Sequence, residues 1–156
     1  MNIKNILSLI KKHKSSLSAA LGIAVLICIS IQFFSHFGTN RRSFEYPLAG
    51  SKRNKTEVRY LASKPVQGKV CQYVDELVLG PSFYRGRPLF TLGTRVEYCF
   101  QRDKTLYVGL SKEAALQGNG AVPCDKGAAM LKKNIKKNFT GIKSIELFID
   151  GNFIAD

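Results

Sequence analysis

Histidine is missing from the last two-thirds of this 156-residue chain; the only two are His13 and His36. That removes imidazole from the usual acid–base pairs and from most zinc sites. The cysteines do not make up for it. Cys28, Cys71, Cys99 and Cys124 contain no Cys-x-x-Cys pair, the spacing that structural zinc sites and redox dithiols use. Acid–base work would fall to carboxylates such as Asp75, Glu76 and Glu97. Asp75 and Glu76 are adjacent, so on a helix they point about 100° apart and cannot flank one bond. A thiol nucleophile would have no imidazole to activate it, although basic neighbours can lower a thiol pKa. The expectation is a non-enzyme, with no catalytic residue, metal ligand or cofactor. Redox state stays open: an exported domain could form one disulfide, whereas a cytoplasmic one would keep its thiols reduced.

Acidic residues are also scarce, and unevenly so. Residues 1–56 hold nine Lys/Arg against a single acid, Glu45, while 57–156 hold fifteen against ten. A nucleic-acid-binding fold concentrates basic charge on the folded part. Here most of the net +13 lies in the N-terminal third, which disfavours nucleic acid as partner.

From Ser15 to Asn40 there is no Lys, Arg, Asp or Glu, and Leu17 to Phe34 is almost wholly apolar. Roughly 20 apolar residues span a bilayer, so residues 15–37 are expected to be a transmembrane anchor in contact with lipid. A cleaved signal peptide fits less well, because the run is long and no small-x-small site follows it. Leu26-Ile27-Cys28 faintly suggests lipidation, with Ile27 where a small residue is expected. Residues 1–14, with Lys4, Lys11, Lys12 and Lys14, form a basic flank that favours a cytoplasmic N-terminus; Arg41, Arg42, Lys52 and Arg53 pull the other way. Residues 38–56 are basic, contain Gly38, Pro47 and Gly50, and show no apolar period. They read as a flexible linker.

The folded domain is expected at 57–156. Residues 57–62 alternate as a short strand. Val70, Tyr73, Val74, Leu77 and Val78 recur at helical spacing up to Gly80-Pro81, a stop signal. Val96, Tyr98 and Phe100, then Leu106, Val108 and Leu110, flank the polar Arg102-Asp103-Lys104 as a hairpin with one buried face. Asp125 is a candidate N-cap for a helix striped by Ala128, Leu131, Ile135 and Phe139. Ile145, Leu147 and Ile149 make a last strand. The order β-α-β-β-α-β predicts a two-layer α+β domain, a four-stranded sheet with two helices on one face, preceded by the membrane helix.

Two groups of side chains are candidates for binding. The loop at 82–94 carries Phe83, Tyr84, Arg85, Arg87 and Phe90, types enriched in protein interfaces; alternatively Leu89 and Phe90 plug the core. Lys132, Lys133, Lys136 and Lys137 line one side of the last helix. They could face an anionic ligand or simply be solvated.

The succession of Tyr60, Glu76-Leu77-Val78-Leu79-Gly80-Pro81, Leu92-Gly93-Thr94-Arg95-Val96, Leu106-Tyr107-Val108-Gly109-Leu110-Ser111 and Ile142 to Gly151 resembles the GerMN domain of sporulation and spore-germination proteins, over about residues 57–152. Gly109 stands where that family often has an acidic residue. The resemblance implies a domain outside the bacterial cytoplasmic membrane, on an anchored or lipid-modified protein, that mediates assembly rather than catalysis. The expected partner is then another envelope protein or a second copy. A membrane-tethered binder of nucleic acid or anionic polymer, working through the lysine face, is the alternative.

Overall fold

The computed structural model describes residues 18–32, 38–118 and 120–154. They fall into two units that part between residues 37 and 38. The first contains helix α1, residues 18–32, exposed along its whole length. Its apolar side chains point all round; Leu21, Ile23, Leu26, Ile29 and Ile31 are each more than half exposed. Fifteen residues of helix reach about 22 Å, short of the ~30 Å of a bilayer core. Among the described residues no helix is long and apolar enough to cross a membrane. The expected anchor at 15–37 runs past the described residues at both ends, and the flank at 1–14 lies wholly outside them.

The second unit opens with a feature the composition concealed. Residues 38–56 are not a linker. Thr39–Pro47 form strand β1, paired antiparallel with β2, Asn54–Ala62, in an unbroken register from Thr39↔Ala62 to Pro47↔Asn54. The reason is hidden in two residues: Phe44 and Tyr46 are fully buried, and Phe44 stacks on Tyr73 at 4.5 Å between ring centroids. Two aromatics two apart in a strand both point inward, and they outweigh the basic residues around them.

After β2 come α2 (Lys69–Leu79), β3 (Val96–Arg102), β4 (Thr105–Leu110), a 3-10 turn (Lys112–Ala115), α3 (Cys124–Asn138), β5 (Ser144–Ile149) and β6 (Asn152–Ile154). The second sheet has the order β3-β4-β5-β6, with β4 and β5 parallel and the other pairs antiparallel. The protein is thus α+β, with three helices and two sheets among the described residues, not one four-stranded sheet. The strand expected at 57–62 pairs with β1 instead, and the unforeseen β6 takes the fourth place. Asp150 and Gly151 both have positive φ, the turn geometry that lets β6 fold back on β5 after only two residues.

Both helices bury most of the stripes expected of them; Val70 is only partly buried, and Phe139, also partly buried, lies just past the end of α3. α2 buries Cys71, Tyr73, Val74, Leu77 and Val78; Gly80, at φ 93, ends it. α3 buries Ala128, Met130, Leu131 and Ile135. It starts at Cys124, so Asp125 lies in the first turn rather than at the cap, where its charge still suits the helix dipole. Leu106, Val108, Leu110, Ile145, Leu147 and Ile149 meet these helices in one core.

Polar contacts decide how β1 sits. Asn134 is 1% exposed. Its Nδ2 donates to Glu45 O at 2.9 Å and its Oδ1 accepts from Glu45 N at 2.8 Å. One turn on, Asn138 Nδ2 donates to Ser43 O at 2.8 Å and Oδ1 accepts from Ser43 N at 3.1 Å. Helix residues four apart lie on one face, and strand residues two apart point their amides to one edge. Two asparagines of α3 therefore continue the ladder of β1 on the side away from β2. On β2, Arg59 donates to Glu57 Oε1 at 2.8 Å, to Glu76 Oε2 at 3.1 Å and to the Glu76 carbonyl at 2.9 Å, tying β2 to the last turn of α2.

Asn134→Leu keeps the volume but strands both polar groups of Glu45. It is expected to cost about 3 kcal/mol of stability, read as a lowered urea midpoint; an unchanged midpoint would mean the amide contact contributes nothing. Burial opposes ionisation of Glu57, but Arg59 and Ser82 hydrogen bonds outweigh it and hold the carboxyl at about 2, below the ordinary 4.5. A depressed folded-state value stabilises above the unfolded pKa. Stability should therefore fall as pH drops from 4.5 towards 2, and Glu57→Gln should flatten that slope in acid titrations followed by circular dichroism.

Candidate functional site

The outer face of the four-stranded sheet is paved with aromatic rings. The register places Tyr98 and Phe100 of β3, Tyr107 and Gly109 of β4, Phe148 of β5 and Phe153 of β6 on one side. Phe100 stacks on Tyr107 at 5.0 Å with 11° between the planes. Tyr98 lies 6.1 Å from Phe100 and 6.2 Å from Phe148, and Phe148 lies 5.5 Å from Phe153. The rings form a connected row from one edge of the sheet to the other. Phe153 is 56% exposed, Phe100 50% and Tyr98 38%.

Two local devices build this row. The first is a β-bulge. Val96 pairs with Leu110 and Tyr98 with Gly109, so Glu97 is an extra residue opposite no partner. A bulge of this kind shifts the side-chain phase by one residue. Val96 therefore faces the core while Tyr98 and Phe100 turn outward, correcting the expectation that all three share the buried face. The second is Gly109. A Cβ there would lie 2.2 Å from the Tyr98 ring, so the bare backbone lets Tyr98 cross β4 and reach Phe148 on the next strand but one. Arg102 shares this face beside Thr105, and Glu146 lies beside Tyr107.

The loop expected to make contacts is largely committed to the fold. Phe90 is 1% exposed and Leu89 fully buried, so Phe90 is core and cannot meet a partner. Gly127 of α3 leaves room for the Leu89 backbone; a Cβ there would fall 2.2 Å from Leu89 O. Phe83 packs edge-on to Tyr46 at 6.4 Å, under the Lys55 ammonium. Arg87 donates to the Gly120 and Ala121 carbonyls, and Arg85 to Ala49 O at 2.9 Å. Of the five expected contact residues, Tyr84, 91% exposed, stands clearest of the loop; Leu92 is 61% exposed.

The lysine face of α3 runs alongside β1. Lys133 Nζ lies 2.8 Å from Glu45 Oε1 and Lys137 Nζ 3.6 Å from Glu45 Oε2. Hydrogen bonds from Lys133 and Asn54 hold the Glu45 carboxyl below its ordinary value. Two of the four lysines thus share an internal counterion, while Lys136 is exposed and Lys132 half-buried. Among the described residues no group of three or more His, Cys, Asp or Glu side chains converges as a metal site would.

No family model matches the chain, and no curated protein matches it. Solved structures do resemble it. The tandem GerMN domains of the sporulation protein GerM from Bacillus subtilis superpose with a TM-score of 0.52 at 13% identity, over 74% of this chain and 40% of that one. The chain thus spans well under half the length of that structure. A Clostridium perfringens protein described as a "Putative Lipoprotein" aligns over 75% of this chain and 78% of its own, with 18% identity and a TM-score of 0.45. At this identity the GerM likeness is one of fold.

Gly109→Ala should push the Tyr98 ring off β4 and break its contact with Phe148. The near-ultraviolet circular dichroism should weaken while the melting temperature moves by only a few degrees, about 1 kcal/mol. An unaltered aromatic spectrum would show that Tyr98 does not lie over Gly109.

Proposed function

We propose that the chain is a single-pass protein of a bacterial cytoplasmic membrane, with a GerMN-like module outside the cytoplasm that binds a protein partner without catalysis. The carrying observation is the aromatic row. Its rings are held by one another, so little side-chain entropy is lost when a partner covers them, and exposed aromatics of this density mark binding surfaces. Arg102 and Glu146 provide polar groups beside it, as interface rims do. The anchor rests on the apolar α1, exposed along its length, within the uncharged stretch 15–40, and the orientation on the basic N-terminal flank. The GerMN assignment rests on the order of sequence motifs together with the fold likeness to GerM.

The lysine face as a nucleic-acid or anionic-polymer site draws no support from Lys133 and Lys137, which already face Glu45. Within loop 82–94, Tyr84 remains the most exposed of the expected contacts.

The test is photo-crosslinking in intact cells, with a photoreactive residue at position 100 of the full chain and, as a control, at exposed position 126. A discrete adduct from 100 and none from 126, in a membrane fraction that resists alkaline extraction, is the expected result. Equal adducts from both positions, or none from either, would remove the aromatic face as the contact. Full release at alkaline pH would remove the anchor.

A further inference from the structure

Two thiols meet where α2 packs against the edge strand of the larger sheet. Cys71, on the buried side of α2, is 8% exposed, and its Sγ donates to the Cys99 carbonyl of β3 at 3.0 Å. Cys99 pairs with Val108, which is fully buried, so its side chain points to the core side while Tyr98 and Phe100 point away. The bulge at Glu97 sets that phase. Without it Cys99 would face solvent and no pair would exist. Cys99 is partly buried against the same core. The thiols also sense each other. A hydrogen bond from Cys99 lowers the Cys71 thiol below its ordinary value, and the same bond raises Cys99. Asp75, one turn on from Cys71 along α2, is the nearby charge acting on both. Cys124, at the start of α3, shows no such partner thiol; burial raises its value.

We propose that Cys71 and Cys99 form a disulfide site that clamps α2 to β3, filled by exchange with a disulfide oxidant such as oxidised glutathione. Cys71, as thiolate, attacks one sulfur of the oxidant; the oxidant's S–S bond breaks and one glutathione thiol leaves. Cys99 then attacks Cys71 Sγ and expels the second glutathione. Two electrons pass from the protein thiols to the oxidant, and their two protons end on the two glutathione molecules. The bond closes a loop from 71 to 99 that contains both 82–94 and the bulge. It thereby restricts the strand that carries Tyr98 and Phe100. This inference requires neither the membrane location nor the partner proposed above.

The test uses the purified full chain in detergent, incubated with oxidised or reduced glutathione and then alkylated. With oxidised glutathione the expected product is about 2 Da lighter and keeps two of its four thiols for alkylation. It yields a peptide pair linked through 71 and 99, and it melts about 10 °C higher than the reduced chain, reversibly with dithiothreitol. Cys99→Ala and Cys71→Ala should each abolish the rise, while Cys124→Ala should retain it. Four alkylatable thiols after oxidation, a stable glutathione adduct in place of the link, or a link through Cys28 or Cys124 would each overturn the proposal. Because Cys99 is the less buried of the pair, its alanine variant remains informative if Cys71→Ala does not fold.

Discussion

The pairing of Asn134 and Asn138 with the backbone of Ser43 and Glu45 is the contact on which the arrangement of this domain depends. β1 has β2 on one side and would otherwise bring a row of unpaired amides into the core on the other. The two side-chain amides supply both a donor and an acceptor at the spacing a strand requires. They act as a two-rung third strand. Tyr73 of α2 joins the same network, donating to Ser43 O at 2.8 Å and accepting from Asn138 Nδ2 at 2.9 Å. Both helices and the first hairpin are thus held by one partly buried polar cluster centred on the buried Asn134. Such clusters specify an arrangement because each member is costly to leave unpaired.

The division between what local pattern revealed and what it concealed follows from this. α2, α3, β4 and β5 were legible because each buries a stripe at its own period: Val74 and Leu77 in α2, Leu131 and Ile135 in α3, Leu106 and Val108 in β4. β1 was not, since its burial rests on Phe44, Tyr46 and Pro47 at its end, and the strand also carries arginines whose partners are far along the chain. Arg42 lies over the Phe139 ring at 4.3 Å and donates to Asn138 O. No local window contains that information. Asn134 and Asn138 likewise read as polar helix residues until β1 is placed beside them.

The aromatic face was illegible for a different reason. Period two holds only while every residue has a partner, and the single extra residue Glu97 inverts the phase for the rest of β3. The strand looked regular because Val96, Tyr98 and Phe100 are all apolar, whichever side they face. Gly109 has a physical role as the gap that Tyr98 crosses. The candidate site thus joins Tyr98 and Phe100, expected on the buried face, to Tyr107 and Phe148 on the outer side of their strands, while loop 82–94, rich in interface-type residues, mainly packs the domain together.

The contacts between β1 and α3 join residues as much as 96 positions apart. That separation bears on the order of synthesis. A chain made from its N-terminus completes the β1–β2 hairpin long before Asn134 and Asn138 exist. During that interval the hairpin shows an open edge and two unburied aromatic rings, the kind of surface that pairs with other nascent chains. The domain closes only when its last helix has been made, and long-range closures of this kind slow folding. For such a chain, whatever holds the emerging hairpin apart from its neighbours governs yield as much as final stability does.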